Sequence, residues 1–243
     1  MAKKSRRSFV DRLIYILLNN LFRVLFLFYF RFRVWGSNRY PRSGAALICS
    51  NHQSHLDPIL IANSCGSRYF SFVARESLFR VRYFGALLRI LGAFPIDRER
   101  GLGGIKLTLQ RLKRGDPVII FPEGTRTTDG ELLPLMLGFC AVARRSKATL
   151  MPLAFDGAFQ SYPRNSKIPI PGRIHLVMGE PTRFEQYKDL ADEEIAELLQ
   201  YQMKDCLSQA QRYWRRSMGQ ESSKLLFTDR TSEPKGTSQP SRV

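Results

Sequence analysis

Apolar residues fall into three regimes along this 243-residue chain. Over residues 13–30 they run almost unbroken, LIYILLNNLFRVLFLFYF, with Asn19, Asn20 and Arg23 in the middle. From about Asn38, short apolar runs alternate with stretches of helical periodicity. Past Asp192 they recur at helical spacing, as Ile195, Leu199, Met203, Cys206, Ala210 and Tyr213, which predicts a long amphipathic helix over 192–218.

The middle regime carries the fold. Runs at 45–50, 69–74, 93–96, 118–122, 150–155 and 173–178 predict buried strands. Helices are expected at 58–63, 81–91, 105–113 and 137–146. Strands that are apolar throughout, not at alternate positions, are covered on both faces. The predicted class is therefore α/β, a mostly parallel sheet flanked by helices, with an N-terminal membrane-associating helix. The expected organisation is a basic, apolar helix over 1–37, a globular domain over 38–218 and a disordered tail over 219–243, where Ser, Thr, Pro, Lys and Gln take over.

The first regime is long enough to approach a bilayer span of about twenty residues. Arg23 argues against a span, because a charge at the bilayer centre costs about 2.5–3.5 kcal/mol on insertion scales. A helix lying in the membrane interface fits better, with arginines at the head groups and Tyr15, Tyr29 and Trp35 at the polar boundary. A single span and a buried core helix are the alternatives.

Charge sharpens this. The chain carries 38 Lys and Arg against 21 Asp and Glu, a net +17. Residues 1–43 hold ten of the basic residues and one acid, Asp11, and so nine of the net charges. Such a surface seeks polyanions. A basic segment this rich in Leu, Ile and Phe suits a lipid surface and not nucleic acid, for which no motif is present. Cys49, Cys65, Cys140 and Cys206 are scattered without a CxxC pair, and no His/Cys cluster has metal-ligand spacing, so a reducing compartment and no metal are expected.

Two constellations carry chemistry, each directly after a predicted strand, where ligands gather in α/β sheets. The first is Asn51-His52-Gln53-Ser54-His55-Leu56-Asp57-Pro58. An imidazole oriented by a carboxylate is a general base. Residues five apart on a regular helix point away from each other, so His52 and Asp57 pair only across a bend, which Asp57-Pro58 supplies as a helix start. Spacing alone leaves His55 as a rival to His52, and leaves Asp57 as a mere helix cap. The second is Phe121-Pro122-Glu123-Gly124-Thr125-Arg126. Gly124 admits close backbone approach, Thr125 and backbone N–H groups donate to phosphate oxygens, and Arg126 grips phosphate; a structural Glu–Arg pair is the alternative. Arg98, just past the strand at 93–96, adds a further cation, or else belongs to a solvated turn. The Pro152 strand offers packing or acyl-chain lining only, and His175 reads as structural.

In this order, these segments resemble the motif blocks of the glycerolipid acyltransferase family over residues 36–182. The resemblance implies that His52, oriented by Asp57, deprotonates the free hydroxyl of 1-acylglycerol 3-phosphate, which attacks the thioester of acyl-CoA or acyl carrier protein to give phosphatidic acid. Glu123, Gly124, Thr125, Arg126 and Arg98 would bind the acceptor phosphate, with no cofactor, metal or covalent enzyme intermediate. The implied setting is a phospholipid membrane, with the active site facing the cytoplasm (at the inner membrane in a bacterium). Two departures stand out: Arg75-Glu76-Ser77-Leu78 replaces the family's usual Lys and Glu-Leu, and Leu135-Met136-Leu137-Gly138 lacks its aromatic-Lys pair. The alternatives are another acceptor, such as glycerol 3-phosphate or another lysolipid or amino-lipid, and a non-catalytic basic membrane-binding protein.

Overall fold

The computed structural model describes residues 9–64, 70–96, 102–163, 166 and 168–217. Arg98 and the expected tail lie outside the described residues. A seven-stranded sheet carries the fold, from β1 (Arg33–Trp35), β2 (Ala46–Ser50), β3 (Ser71–Arg75), β4 (Ala93–Ile96), β5 (Pro117–Ile120), β6 (Thr149–Asp156) and β7 (His175–Met178), in the order β1-β7-β6-β2-β5-β3-β4. Every neighbouring pair is parallel except β6 with β7.

Alternation within the apolar strands divides the core. Ala46 and Ile48 of β2, with Met151, Leu153 and Phe155 of β6, face a layer formed by α1 (Phe9–Tyr29), α2 (Asp57–Ser64) and α3 (Arg82–Ile90). Leu47 and Cys49 face the other layer, α4 (Leu102–Lys113), α5 (Gly138–Ser146), α6 (Phe184–Tyr187) and α7 (Asp192–Ser217). All five β2 residues are buried. A strand without a polar face is central, and β2 lies between β5 and β6. Pro152, inside β6, packs against Gly179 and Cys206, and its carbonyl accepts the Gly179 N–H at 2.9 Å. The ladder to β7 ends at Leu153–Met178, so the missing N–H breaks no bond there.

The connection leaving β2 runs through α2 to β3, across β5. The one leaving β5 runs through α5 to β6, across β2. Strand order therefore reverses between β2 and β5, and the loops at their carboxyl ends open a crevice.

One element departs from the sequence reading, and one of the alternatives for α1 is set aside. β1 sits inside the segment 1–37 that reads as the N-terminal helix. Three residues are too few to show a period, and the strand exists through its pairing with β7. α1 is not a buried core helix. Phe22, Phe26 and Phe30, four apart, pack against the domain, while Leu17, Leu21, Val24, Leu27 and Phe28 are more than half exposed. Among the described residues, no helix is long and apolar enough to cross a membrane.

Candidate active site

The bend after β2 is built from side chains acting on backbone. Where the β2–β6 ladder ends, Asn51 continues it with its amide: Nδ2 donates to the Phe155 carbonyl at 3.0 Å and Oδ1 accepts the Phe155 N–H at 2.8 Å. The chain then turns over residues 51–56 and enters α2 at Asp57. Asp57 does not cap α2 in the forward sense. Its fully buried carboxylate reaches back, and Oδ2 accepts from the backbone N–H groups of Gln53 (2.7 Å) and Ser54 (2.8 Å) and lies 2.9 Å from His52 Nδ1. The five-residue spacing is thus closed through a carboxylate that also folds the loop.

An ionised carboxylate only accepts, so Nδ1 of His52 carries the proton toward Asp57, and Nε2 of the neutral ring is left with its lone pair. The His52 side chain is 17% exposed, against 0% for Asp57. His55 lies apart from this pairing. It is exposed, near the Tyr162 ring, and its pKa is lowered, first by partial burial and then by the charges of Arg126 and His52. Arg126 therefore stands within electrostatic reach of the histidine segment.

The loop after β5 grips His52 from three directions. The Phe121 ring stacks on the imidazole, centroids 3.9 Å apart and planes 16° from parallel. Glu123 Oε1 accepts the His52 N–H at 2.6 Å, and the Thr127 N–H donates to the His52 carbonyl at 2.9 Å. Glu123 is thereby placed differently from the phosphate contact that the motif suggested. It is buried, and its other oxygen accepts the Leu133 N–H at 2.9 Å. Burial pushes its carboxyl up to about 7, against the two backbone donors that favour the charged form. Facing inward, with each oxygen taken by a backbone N–H, Glu123 positions the loops and has no oxygen turned toward an anion.

Gly124 and Thr125 are exposed, and Arg126 is half-buried. Gly124 is held at φ 72, a conformation that favours glycine, and the Met136 side chain lies over it where a Cβ would stand. Met136 belongs to the departing Leu135-Met136-Leu137-Gly138 segment; it closes over Gly124 through its N–H to the Pro122 carbonyl at 2.9 Å.

Sequence reasoning missed Gln53, Phe121 and Thr127 as parts of the site. Gln53 Nε2 donates to the Gly130 carbonyl at 2.8 Å, and its Oε1 accepts the Phe159 N–H at 3.2 Å, joining three loops. Only their places inside or beside the two motifs could have drawn attention to them. His175 is buried at the start of β7, where Nδ1 accepts from Trp35 Nε1 at 3.3 Å. Burial, with the charges of Arg33 and Arg173, lowers its pKa to about 4.

A mostly parallel α/β sheet with a His–carboxylate pair and an arginine-bearing glycine loop at its switch point defines a group-transfer or hydrolytic class of protein. A family model described as Acyltransferase matches residues 31–156, and the chain belongs to that family. It is 30% identical over 163 residues to the 1-acyl-sn-glycerol-3-phosphate acyltransferase of Bacillus subtilis (strain 168), covering 67% of this chain and 79% of that protein. To the protein of the same name from Streptococcus pneumoniae it is 30% identical over 151 residues, covering 61% of this chain and 54%, about half, of the relative's length. The crystal structure of PlsC, the 1-acyl-sn-glycerophosphate (LPA) acyltransferase from Thermotoga maritima, superposes with a TM-score of 0.71 at 22% identity, over 90% of this chain and 86% of that one. That likeness concerns the fold.

Proposed function

We propose that the chain transfers a fatty acyl group from acyl-CoA or acyl carrier protein to the free hydroxyl of 1-acylglycerol 3-phosphate, forming phosphatidic acid for phospholipid synthesis. The observation that carries the reading is His52, tied to buried Asp57 through Nδ1, with Nε2 left over beside the loop that bears Arg126. His52 Nε2 takes the hydroxyl proton as the oxygen attacks the thioester carbonyl. The tetrahedral intermediate collapses with cleavage of the C–S bond, and the imidazolium returns its proton to the departing thiolate. Asp57 keeps the ring in the required tautomer and stabilises its protonated form. Arg126, Thr125 and the exposed backbone at Gly124, with Arg98, hold the phosphate monoester, a task suited to a guanidinium fork. α1 lies in one leaflet, with its exposed apolar side among acyl chains, so that the lipid acceptor reaches the crevice from the membrane.

The names of the relatives support this acceptor. The test uses the full-length protein in mixed micelles with labelled acyl-CoA and a panel of acceptors at equal concentration. Lysophosphatidic acid is expected to be acylated fastest, ahead of glycerol 3-phosphate and lysolipids without a phosphate monoester. His52→Ala is expected to lower kcat by about 10²–10⁴-fold with vesicle binding unchanged. Full turnover in that variant would reject the mechanism; vesicle binding by the wild type with no turnover on any acceptor would make the protein a membrane binder.

A further inference from the structure

A cleft of about 390 Å³ opens where α1 ends, lined by Phe28, Tyr29 and Arg31 together with Ser161, Arg173 and Trp214. It lies at the functional edge of the sheet. β6 ends at Asp156, paired with His175 at the start of β7, so residues 157–174 leave and re-enter at the edge where β2 delivers His52. The Phe159 N–H bond to Gln53 ties this segment to the His52 loop.

Three features make the cleft more than a surface dent. Arg31 occupies a position that ordinarily takes glycine. The Phe32 N–H returns to the Phe26 carbonyl at 3.0 Å where the chain leaves α1, and Arg31 sits inside that turn with φ 44, in the left-handed region that favours glycine. A residue that strains its own backbone there is explained by what its side chain does. Next, Ser161 is 2% exposed, and its hydroxyl has no hydrogen-bond partner among the described residues. Gly172 passes so close that an added Cβ would collide with that oxygen. Finally, neither Arg31 nor Arg173 is ion-paired among the described residues, so two cations and an unused hydroxyl lie around one concavity. On its α1 side the cleft meets exposed apolar surface, with Phe28 75% exposed and Leu21, Val24 and Leu27 along the same helix.

We propose that this cleft seats the phosphate of an anionic phospholipid of the membrane, separate from the acyl acceptor, with the lipid's chains lying along the exposed side of α1. Two guanidinium groups donate to phosphate oxygens above the buried Ser161 hydroxyl, Trp214 and Tyr29 suit the polar boundary, and Phe28 meets the first methylenes. A free phosphate ion would use the donors and leave the apolar wall unused. The inference rests on reading α1 as a helix that lies in the membrane. Its consequence is that a bound lipid pins the sheet edge bearing His52 against the leaflet.

The test needs no acyl donor. Full-length protein is sedimented with vesicles of phosphatidylcholine alone and of phosphatidylcholine mixed with phosphatidylglycerol. Arg31→Gly and Arg173→Ala are each expected to lower partition onto the mixed vesicles about fivefold or more, while binding to phosphatidylcholine is unchanged. Arg145→Ala, an exposed arginine of α5 on the other face of the sheet, changes either by less than about twofold. Arg31→Gly should melt no lower than wild type, since glycine relieves the left-handed strain, so its loss of binding is not loss of fold. Equal effects from all three variants would mean diffuse charge attraction and would overturn the seat. Inorganic phosphate that abolishes the preference for mixed vesicles at constant ionic strength would reassign the cleft to the free ion and overturn it as well. Acyl transfer is read on separate samples. A protein that binds through Arg31 but transfers nothing leaves the seat standing and removes the proposed activity, and transfer without dependence of binding on Arg31 and Arg173 does the reverse.

Discussion

Asp57 Oδ2 serves two ends at once, aiming the His52 ring and closing the loop on Gln53 and Ser54. Asp57→Asn separates them. The amide oxygen still accepts the two backbone N–H groups, but a neutral amide neither fixes the Nδ1–H tautomer nor stabilises the imidazolium. The expected result is a near-native circular dichroism spectrum with kcat lower by about 10²–10⁴-fold, read in a single-turnover assay. Glu123 makes a different prediction. Its folded pKa of about 7 stands above its ordinary 4.5. Between those values the folded protein holds a proton that the unfolded chain has released, so stability falls as pH rises through that window and levels off above it. Glu123→Gln should shed that part of the slope. It should also be less stable by about 1–3 kcal/mol, because one of the two backbone donors meets an amide –NH₂ in place of an acceptor. Urea midpoints from pH 4.5 to 8 check both, with a smaller fall remaining from Asp156, whose burial raises it to about 6. Of these roles, the His52–Asp57 pairing was legible as a spacing that needed a bend. The inward turn of Glu123 was not, because its partners are backbone N–H groups at positions 52 and 133, which leave no mark in residue types.

Among the elements, the strands with continuous apolar runs could be read from the sequence because burial on both faces demands them; β2 to β6 lie within a few residues of their expected places. β1 could not, since its three residues owe their form to β7 and not to a pattern of their own. The reversed sense of β7 was equally hidden, because four buried residues look alike in either direction. α1 shows where sequence pattern and packing part company. Thirteen to thirty read as apolar nearly all round, yet the domain covers only the Phe22–Phe26–Phe30 stripe. Leu17 and Leu21, 60% and 62% exposed, can therefore take aspartate with little effect on the fold. Losing two leucine contacts with acyl chains, each worth about 1.5–3 kcal/mol on full burial, should lower partition onto phosphatidylcholine vesicles by at least about tenfold. Flotation together with a thermal melt checks the pair; a large drop in melting temperature would mean that these leucines pack against the protein instead.

For the molecule as a whole, a net +17 and an exposed apolar helix would give the proposed membrane association two attachments of different physical kind. Coulombic attraction to anionic lipid is screened over about 3 Å at 1 M salt, whereas burial of apolar surface is not. Raising salt from 0.1 to 1 M should therefore remove the preference for phosphatidylglycerol while leaving a residual affinity equal to that for phosphatidylcholine. Complete release would assign the attachment to charge alone. The carboxyl ends of β2, β5 and β6 and the end of α1 share one edge, so the proposed chemistry and the proposed attachment would face the same way.

The grip on His52 has a consequence for anyone re-engineering acceptor choice. Phe121, Glu123 and Thr127 belong to the segment most inviting to exchange, yet each is fastened to the ring or peptide groups of His52, the proposed base. A transplanted 121–127 segment would bring a new bearing for the imidazole along with its new selectivity. Chimeras should then fail through slow turnover rather than poor affinity, unless residues 51–57 travel with the graft.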